Sequence, residues 1–92
     1  MSIRIGGTIH KLTAKYGIVV GDDGIHYLLL PSALDIPIGF IPPRHERPVV
    51  FTDVVIGSYV KFFPFKHPRG MRANIVTVAE SPVASVTSHA EN

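Results

Sequence analysis

The 92-residue sequence contains no cysteine and no apolar run that approaches the length of a membrane-spanning helix. The lack of cysteine excludes a disulfide framework and a thiolate metal site. A membrane helix requires about 20 consecutive apolar residues. The opening "MSIRIGG" has none of the features of a secretory signal. We therefore expect a cytoplasmic protein that does not associate with a membrane.

The sequence also lacks the residue patterns that support metal binding or catalysis. Histidines stand at positions 10, 26, 45, 67 and 89, and no two of them have a spacing typical of metal ligands. Ser32 and Ser58 have no sequence context of an activated nucleophile, and the Gly-Gly pair at 6–7 lacks the strand–loop–helix setting of a phosphate cradle. We predict that the protein is not an enzyme and has no metal or other cofactor.

No window of eleven residues shows helical periodicity with capping residues, whereas strand signals dominate. Five strands are predicted, at about 3–13, 16–22, 25–30, 58–65 and 72–79. A closed barrel suits such a short chain, since closure removes most exposed strand edges. Pro64 must then lie at an edge or a bulge, because it donates no ladder hydrogen bond. The segment "PSALD" is the best candidate for a helical turn.

Two other segments lie outside the predicted strands. Residues 36–53 form a long loop between strands 3 and 4 that contains prolines 37, 42, 43 and 48. Residues 81–92 are small and polar and are predicted to form a disordered tail. The predicted domain organisation is one barrel domain over 1–80, with its insertion at 36–53, followed by that tail.

Positive charge is distributed unevenly, although the net charge is only +2. Three basic residues precede the first acid, Asp22, and a second run without acids holds another four, which together are Arg4, Lys11, Lys15, Lys61, Lys66, Arg69 and Arg72. The two runs could converge on one basic face. The alternative is that they are solvated strand edges, on which charge opposes aggregation.

Several short motifs, in chain order, resemble the cold-shock domain, a five-stranded antiparallel barrel of the OB-fold class. "KYGIV" (15–19) resembles the family's first ribonucleoprotein motif, Lys-Gly-Phe-Gly-Phe-Ile, with one glycine fewer, and "YLLLPSALD" (27–35) resembles Val-Phe-Val-His-x-Ser-Ala-Ile. The other matches are "GTIHKL" (7–12), "DDG" (22–24), "FTDVVIGSYVKF" (51–62) and "RGMRANIV" (69–76). The resemblance covers residues 5–79 except for the central insertion.

The resemblance implies binding of single-stranded RNA or DNA through aromatic rings and basic side chains. Tyr16 and Phe51 occupy positions where the family has rings, so both are expected to stack on bases. Phosphate contacts are expected from Lys11, Lys15, Lys61, Lys66, Arg69 and Arg72, with His26 on the same surface. Stacking is expected to be reduced, because Ile18, Leu28 and Leu30 replace ring-bearing residues of the family's motifs.

The alternation of side chains along the matched strands predicts their faces. Ile18, Leu28 and Leu30 point outward with Tyr16, while Val19, Tyr27 and Leu29 point inward. The outward apolar trio has a second interpretation, since an exposed apolar patch commonly marks a protein contact. It would then meet a protein partner, a second copy of the chain, or the chain's own 36–53 insertion.

Phe63 and Phe65 provide two further candidate rings. Phe63 is predicted on the strand face opposite to Phe62, and Phe65 precedes the basic Lys66–Arg69 loop. They could stack on bases, or one could pack beneath the insertion while the other caps the barrel.

Overall fold

The computed structural model describes residues 3–79, which form six strands and two short 3₁₀ turns. The strands are β1 (Ile5–Leu12), β2 (Gly17–Gly21), β3 (His26–Leu29), β4 (Glu46–Arg47), β5 (Tyr59–His67) and β6 (Gly70–Ala79). The 3₁₀ turns are Pro31–Leu34 and Phe51–Asp53. The five predicted strands and the predicted turn at "PSALD" are thus confirmed. Within residues 3–79, no helix has the length and apolar character needed to cross a membrane.

Five of the strands close into a barrel. The strand order is β3-β2-β1-β5-β6-β4, and a further pairing of β3 with β6 closes the ring while β4 stays outside it. The closing pair, Leu28 with Arg72, is parallel, and the other pairings are antiparallel. The prediction of a wholly antiparallel barrel is therefore wrong at this seam. A closed ring with an odd number of strands cannot alternate direction throughout, so at least one pair must be parallel.

The barrel interior is filled by the inward-facing residues of the strands. The predicted inward residues Val19, Tyr27 and Leu29 are buried, and Tyr27 packs edge-on against Phe62 with ring centroids 4.9 Å apart. The rest of the core comprises Ile9, Ala33, Leu34, Val54, Val60, Ala73 and Val76. Burial of this apolar set is the main favourable contribution to folding.

A bulge in β1 changes which side chains reach the surface. Ile9 pairs with Val19 and Lys11 pairs with Ile18, so His10 is an extra residue on β1. Two residues of a bulged strand oppose one on the partner, and the alternation of faces shifts by one. Lys11 is consequently exposed, while Leu12 packs against the core.

β5 pairs with two strands in its first half and with one strand in its second half, and Pro64 lies in the second half. β1 pairs with β5 only as far as Phe62, whereas β6 continues to pair with it to His67. Pro64 opposes Ala73 of β6 and has no partner on its other side, as the sequence predicted. On β6, a register shift in the same region contains Ile75, whose φ of 51° is unusual for a β-branched residue.

The predicted loop at 36–53 is anchored to the barrel and contributes the extra strand. β4 pairs with the end of β6, Glu46 opposite Ala79 and Arg47 opposite Val78. The Glu46 carboxylate accepts hydrogen bonds from Arg4 Nη2 and Thr77 Oγ1, both at 2.7 Å. The tail predicted for 81–92 lies outside the described residues.

Candidate functional site

The register of the barrel places five side chains in one row across its outer surface. Lys11 of β1 pairs with Ile18 of β2, Ile18 with Leu28 of β3, Leu28 with Arg72 of β6, and Arg72 with Phe65 of β5. Directly paired residues project to the same side of a sheet, with Cβ atoms about 4.5–5.5 Å apart. We call this set the central row. Along the row, the cation Lys11 is followed by the aliphatic residues Ile18 and Leu28, then by the cation Arg72, and the row ends at Phe65.

Tyr16 lies beside the Lys11 end of the central row. The Lys11 ammonium is 5.9 Å from the centroid of the Tyr16 ring, within the range of a cation–π contact. The 13–16 loop holds Tyr16 in place, because Thr13 Oγ1 accepts hydrogen bonds from the backbone N–H groups of Lys15 and Tyr16 at 3.2 and 3.1 Å. Tyr16 is half-buried and Lys15 is exposed.

Histidines and the β5–β6 hairpin flank the central row on its other side. His26 is exposed, and its ring centroid lies 6.3 Å from that of His10. The parallel pairing of Leu28 with Arg72 brings the chain around Gly70 to the level of His26. Lys66 and Arg69 therefore lie on this side, and both are exposed.

The apolar trio is less exposed than the sequence suggested. Ile18, Leu28 and Leu30 face outward as predicted, but each is half-buried by its neighbours. Lys11 and Arg72 border the trio in the central row. Within the insertion, Phe40 packs against Phe63, with ring centroids 6.0 Å apart.

Two of the predicted binding residues lie away from the central row. Phe51 is half-buried and packs against the core, but it also borders a depression of about 320 Å³ that contains Thr13 and Ala14. It therefore lies at the rim, close to the loop that carries Tyr16. Lys61 pairs with Gly6 and Thr77 in the part of β5 that contacts β1, so the register does not bring it to the row.

No acidic side chain occupies the central row, and the nearest acidic turn has its carboxylates engaged. Asp23 accepts hydrogen bonds from the Tyr27 hydroxyl at 2.7 Å and the Ile25 N–H at 3.0 Å, which lower the pKa of its carboxyl. Burial, together with the bond to Asp23, raises the pKa of Tyr27 to about 12. Asp22 accepts a hydrogen bond from the Tyr59 hydroxyl on the β1–β5 side. The face around the row is therefore positive at neutral pH.

Sequence reasoning missed one residue of this face, Asn74, and did not decide between a stacking and a packing role for another, Phe65. Asn74 is exposed and lies two residues beyond Arg72 on the same side of β6. Its position in "RGMRANIV" matched the family motif, but nothing in the motif indicated its outward direction. Phe65 is the only exposed phenylalanine or tyrosine of residues 3–79, at 47%. Phe63 instead packs beneath the insertion.

Neither metal-binding groups nor similarity to known proteins assigns a function to the described residues. Residues 3–79 contain no cluster of three or more histidine, aspartate or glutamate side chains able to hold a metal ion. The chain matches no protein-family model, no curated protein and no solved structure. The geometry of the barrel and its outer face therefore carries the functional argument.

Proposed function

We propose that this chain binds single-stranded RNA or DNA on the outer face of β2 and β3, as a cold-shock-like protein of the OB-fold class. The observation that carries the proposal is the acid-free central row, in which cations border an apolar strip. OB-folds bind oligonucleotides with the face of their second and third strands and with the loops between strands 1 and 2 and strands 4 and 5. The corresponding loops here are 13–16 and the β5–β6 hairpin.

The cations around the face supply attraction for phosphates. Lys11 and Arg72 lie within the central row, Lys15 lies on the 13–16 loop, and Lys66 and Arg69 lie at the turn end of the β5–β6 hairpin. A single strand laid across β2 and β3 would pass between the loop and the hairpin. Contacts to phosphates release counterions, so the logarithm of the binding constant falls with the logarithm of salt concentration by about 0.7 for each phosphate neutralised.

The apolar and aromatic side chains supply contacts to bases. The half-buried ring of Tyr16 lies at the edge of the face, where a base can stack on its open side. Ile18, Leu28 and Leu30 pack against bases without a π interaction, so they contribute less than rings would. Binding should therefore depend strongly on salt and weakly on base identity.

A titration with fluorescent oligonucleotides tests the proposal. A T-rich strand and a mixed-sequence strand are each titrated at two salt concentrations, with wild type, Tyr16→Ala and the double variant Lys66→Ala/Arg69→Ala. The double variant should bind more weakly and show a salt slope reduced by about 1.4. Lys61→Ala is the matched control, because it removes a lysine from the same strand as Lys66 but away from the face. It should bind almost as wild type does.

Each result of this titration has a distinct meaning. Absence of wild-type binding at low salt would refute the proposal. Binding that Tyr16→Ala leaves unchanged, but that the double variant abolishes, would retain phosphate recognition and remove stacking from the mechanism. An equal loss in Lys61→Ala and in the double variant would show that the face has no special role.

The alternative, protein contact or dimerisation through Ile18, Leu28 and Leu30, has a separate readout. The trio is half-buried and bordered by cations, whereas the cores of protein interfaces are depleted in charge. Light scattering of wild type and Leu28→Lys distinguishes the two functions. A mass above that of the monomer, lost in Leu28→Lys, would favour dimerisation.

A further inference from the structure

A cleft opens on the outer surface where β3, β5 and β6 meet at the parallel seam. Its volume is about 110 Å³, and its lining includes Leu28, Leu30, Phe65, Arg72 and Asn74. Ala33 and Ala73 are buried and form its base. The two leucines lie on one side and Phe65 on the other, so the walls are apolar while the side chains of Arg72 and Asn74 are polar.

Phe65 is unusual among the aromatic residues of the described chain. The other phenylalanine and tyrosine rings of residues 3–79 are buried or half-buried, whereas 47% of the surface of Phe65 is exposed. A partly exposed phenylalanine forgoes part of the free energy that its full burial would contribute. Its neighbours on the surface are cationic or titratable, namely Arg72 opposite it on β6 and His67, whose ring centroid is 6.4 Å away. An exposed ring beside cations suits a planar ligand attached to an anion.

We propose that this cleft is a subsite for one unstacked nucleobase, which lies against the ring of Phe65 while Arg72 and Asn74 bind its edge. The inference rests on the proposed function and specifies where a base is held. A base presents a π-face for stacking and an edge with both hydrogen-bond donors and acceptors. The Asn74 amide offers a donor and an acceptor, and the Arg72 guanidinium offers donors alone.

The position of the cleft agrees with the path of a strand across the face. Leu28 and Arg72 belong to both the cleft and the central row. A base in the cleft leaves its phosphate near Arg72 and the basic β5–β6 hairpin. Phe65 then supplies stacking on the side of the face opposite Tyr16, beyond the aliphatic strip.

Phe65→Leu, measured against strands with and without one base, tests the subsite. Fluorescence anisotropy is recorded with an eight-nucleotide T-strand that just spans the face and with the same strand carrying a single abasic position, moved along the strand in turn. Phe65→Leu keeps an apolar side chain but removes the ring. It should weaken binding of the complete strand about fivefold to a hundredfold. Phe65→Leu should weaken binding less when the abasic position is the nucleotide that would otherwise place its base in the cleft.

Two variants and one control keep the test specific. Phe65→Tyr retains a ring and should bind within about twofold of wild type. Asn74→Ala should narrow the difference in affinity between homopolymers of different bases without changing the salt slope. Val55→Ala truncates an exposed apolar side chain outside the cleft and should change nothing. Circular dichroism and melting temperature confirm that each variant is folded.

The outcomes separate this inference from the proposed function. If wild type does not bind the complete strand at low salt, the proposed function fails and the subsite fails with it. If wild type binds but Phe65→Leu weakens the complete strand and every abasic strand equally, Phe65 is not a stacking surface and the subsite is refuted while strand binding stands. Unchanged binding in both Phe65→Leu and Asn74→Ala refutes it equally.

Discussion

The ion pair between Arg4 and Glu46 allows a quantitative test of how the insertion is held to the barrel. Arg4 Nη2 lies 2.7 Å from Glu46 Oε1, and Thr77 Oγ1 hydrogen-bonds both of them, at 2.9 Å to Arg4 and 2.7 Å to Glu46. The Glu46 side chain is 2% exposed and that of Arg4 is 15% exposed. The Arg4 guanidinium also lies 5.1 Å from the Phe40 centroid and 5.6 Å from that of Phe63.

Glu46→Ala leaves the Arg4 charge largely buried and without its counterion. Removing one partner of a buried ion pair costs about 3–5 kcal/mol. The cost should fall near the lower limit, about 3 kcal/mol, because Arg4 keeps some solvent exposure and its two aromatic contacts. Small domains have unfolding free energies of about 5–15 kcal/mol. The melting temperature of a domain of this size changes by about 4–8 °C for each kcal/mol of unfolding free energy. A loss of about 3 kcal/mol should therefore lower the melting temperature by at least about 12 °C.

A double-mutant comparison tests whether the unpaired charge of Arg4 causes the loss of stability in Glu46→Ala. Urea unfolding is measured for wild type, Glu46→Ala, Arg4→Met and Arg4→Met/Glu46→Ala. The double variant should be more stable than Glu46→Ala, because it no longer buries an unpaired guanidinium. Asp35→Ala removes an exposed carboxylate as the control. A double variant no more stable than Glu46→Ala, or a loss no larger than that of Asp35→Ala, would refute the reasoning.

The same carboxyl predicts a dependence of stability on pH. Burial would raise the pKa of Glu46, but hydrogen bonds from Arg4 and Thr77 and the charges of Arg4 and His45 outweigh it and hold the pKa below its usual value. Such a carboxyl stabilises the fold above its unfolded pKa of about 4.3, and this contribution is lost as pH falls through the folded pKa. The difference in stability between wild type and Glu46→Gln should therefore be largest near neutral pH and shrink below about pH 4.

Two further predictions concern the barrel interior. Because burial and the Asp23 bond raise the pKa of Tyr27 to about 12, its phenol contributes stability below an unfolded pKa of about 10, and this contribution is lost as pH rises through the folded value. An alkaline absorbance titration should show a phenol titrating near that value, and Asp23→Asn should lower it; an unchanged curve would contradict the assigned cause. Gly17→Ala places a Cβ 2.9 Å from Leu12 Cδ2 and 3.1 Å from the Lys11 carbonyl oxygen. It should cost about 1–3 kcal/mol in urea unfolding, whereas a stability equal to wild type would show that the strands separate easily.

The strands and most of their faces follow from local patterns that the sequence displays. The period of two in "YGIVV" and "IHYLLL" separates inward Val19 and Tyr27 from outward Ile18 and Leu28, and the buried fractions agree. Pro64 also has a local signal, because a residue without an N–H can be paired on one side only. These features depend on neighbours a few residues apart, so one sequence is sufficient to predict them.

The features that depend on distant residues could not be predicted in this way. The bond between Arg4 and Thr77 joins residues 73 positions apart, and Glu46 lies 31 positions from Thr77. Nothing in the prolines of the insertion indicates that one of its acids completes this network. The bulge at His10 is likewise decided by pairing with β2. Without it, strict alternation from Ile9 would direct Lys11 inward and Leu12 outward.

The pairing of β3 with β6, which closes the barrel, brings the residues of the candidate site together. Leu28 and Phe65 are distant in sequence, and they share a cleft only because β3 meets β6 at Arg72 and Arg72 pairs across to Phe65. The motifs of the cold-shock family have rings at positions where this chain has Ile18 on β2, Leu28 on β3 and Leu30 directly after β3. In the proposed mechanism the missing stacking surface is supplied from β5, on the far side of the parallel seam. The absence of rings from the outer faces of β2 and β3 therefore does not by itself argue against base binding, since the seam adds a ring that the cold-shock motifs do not contain.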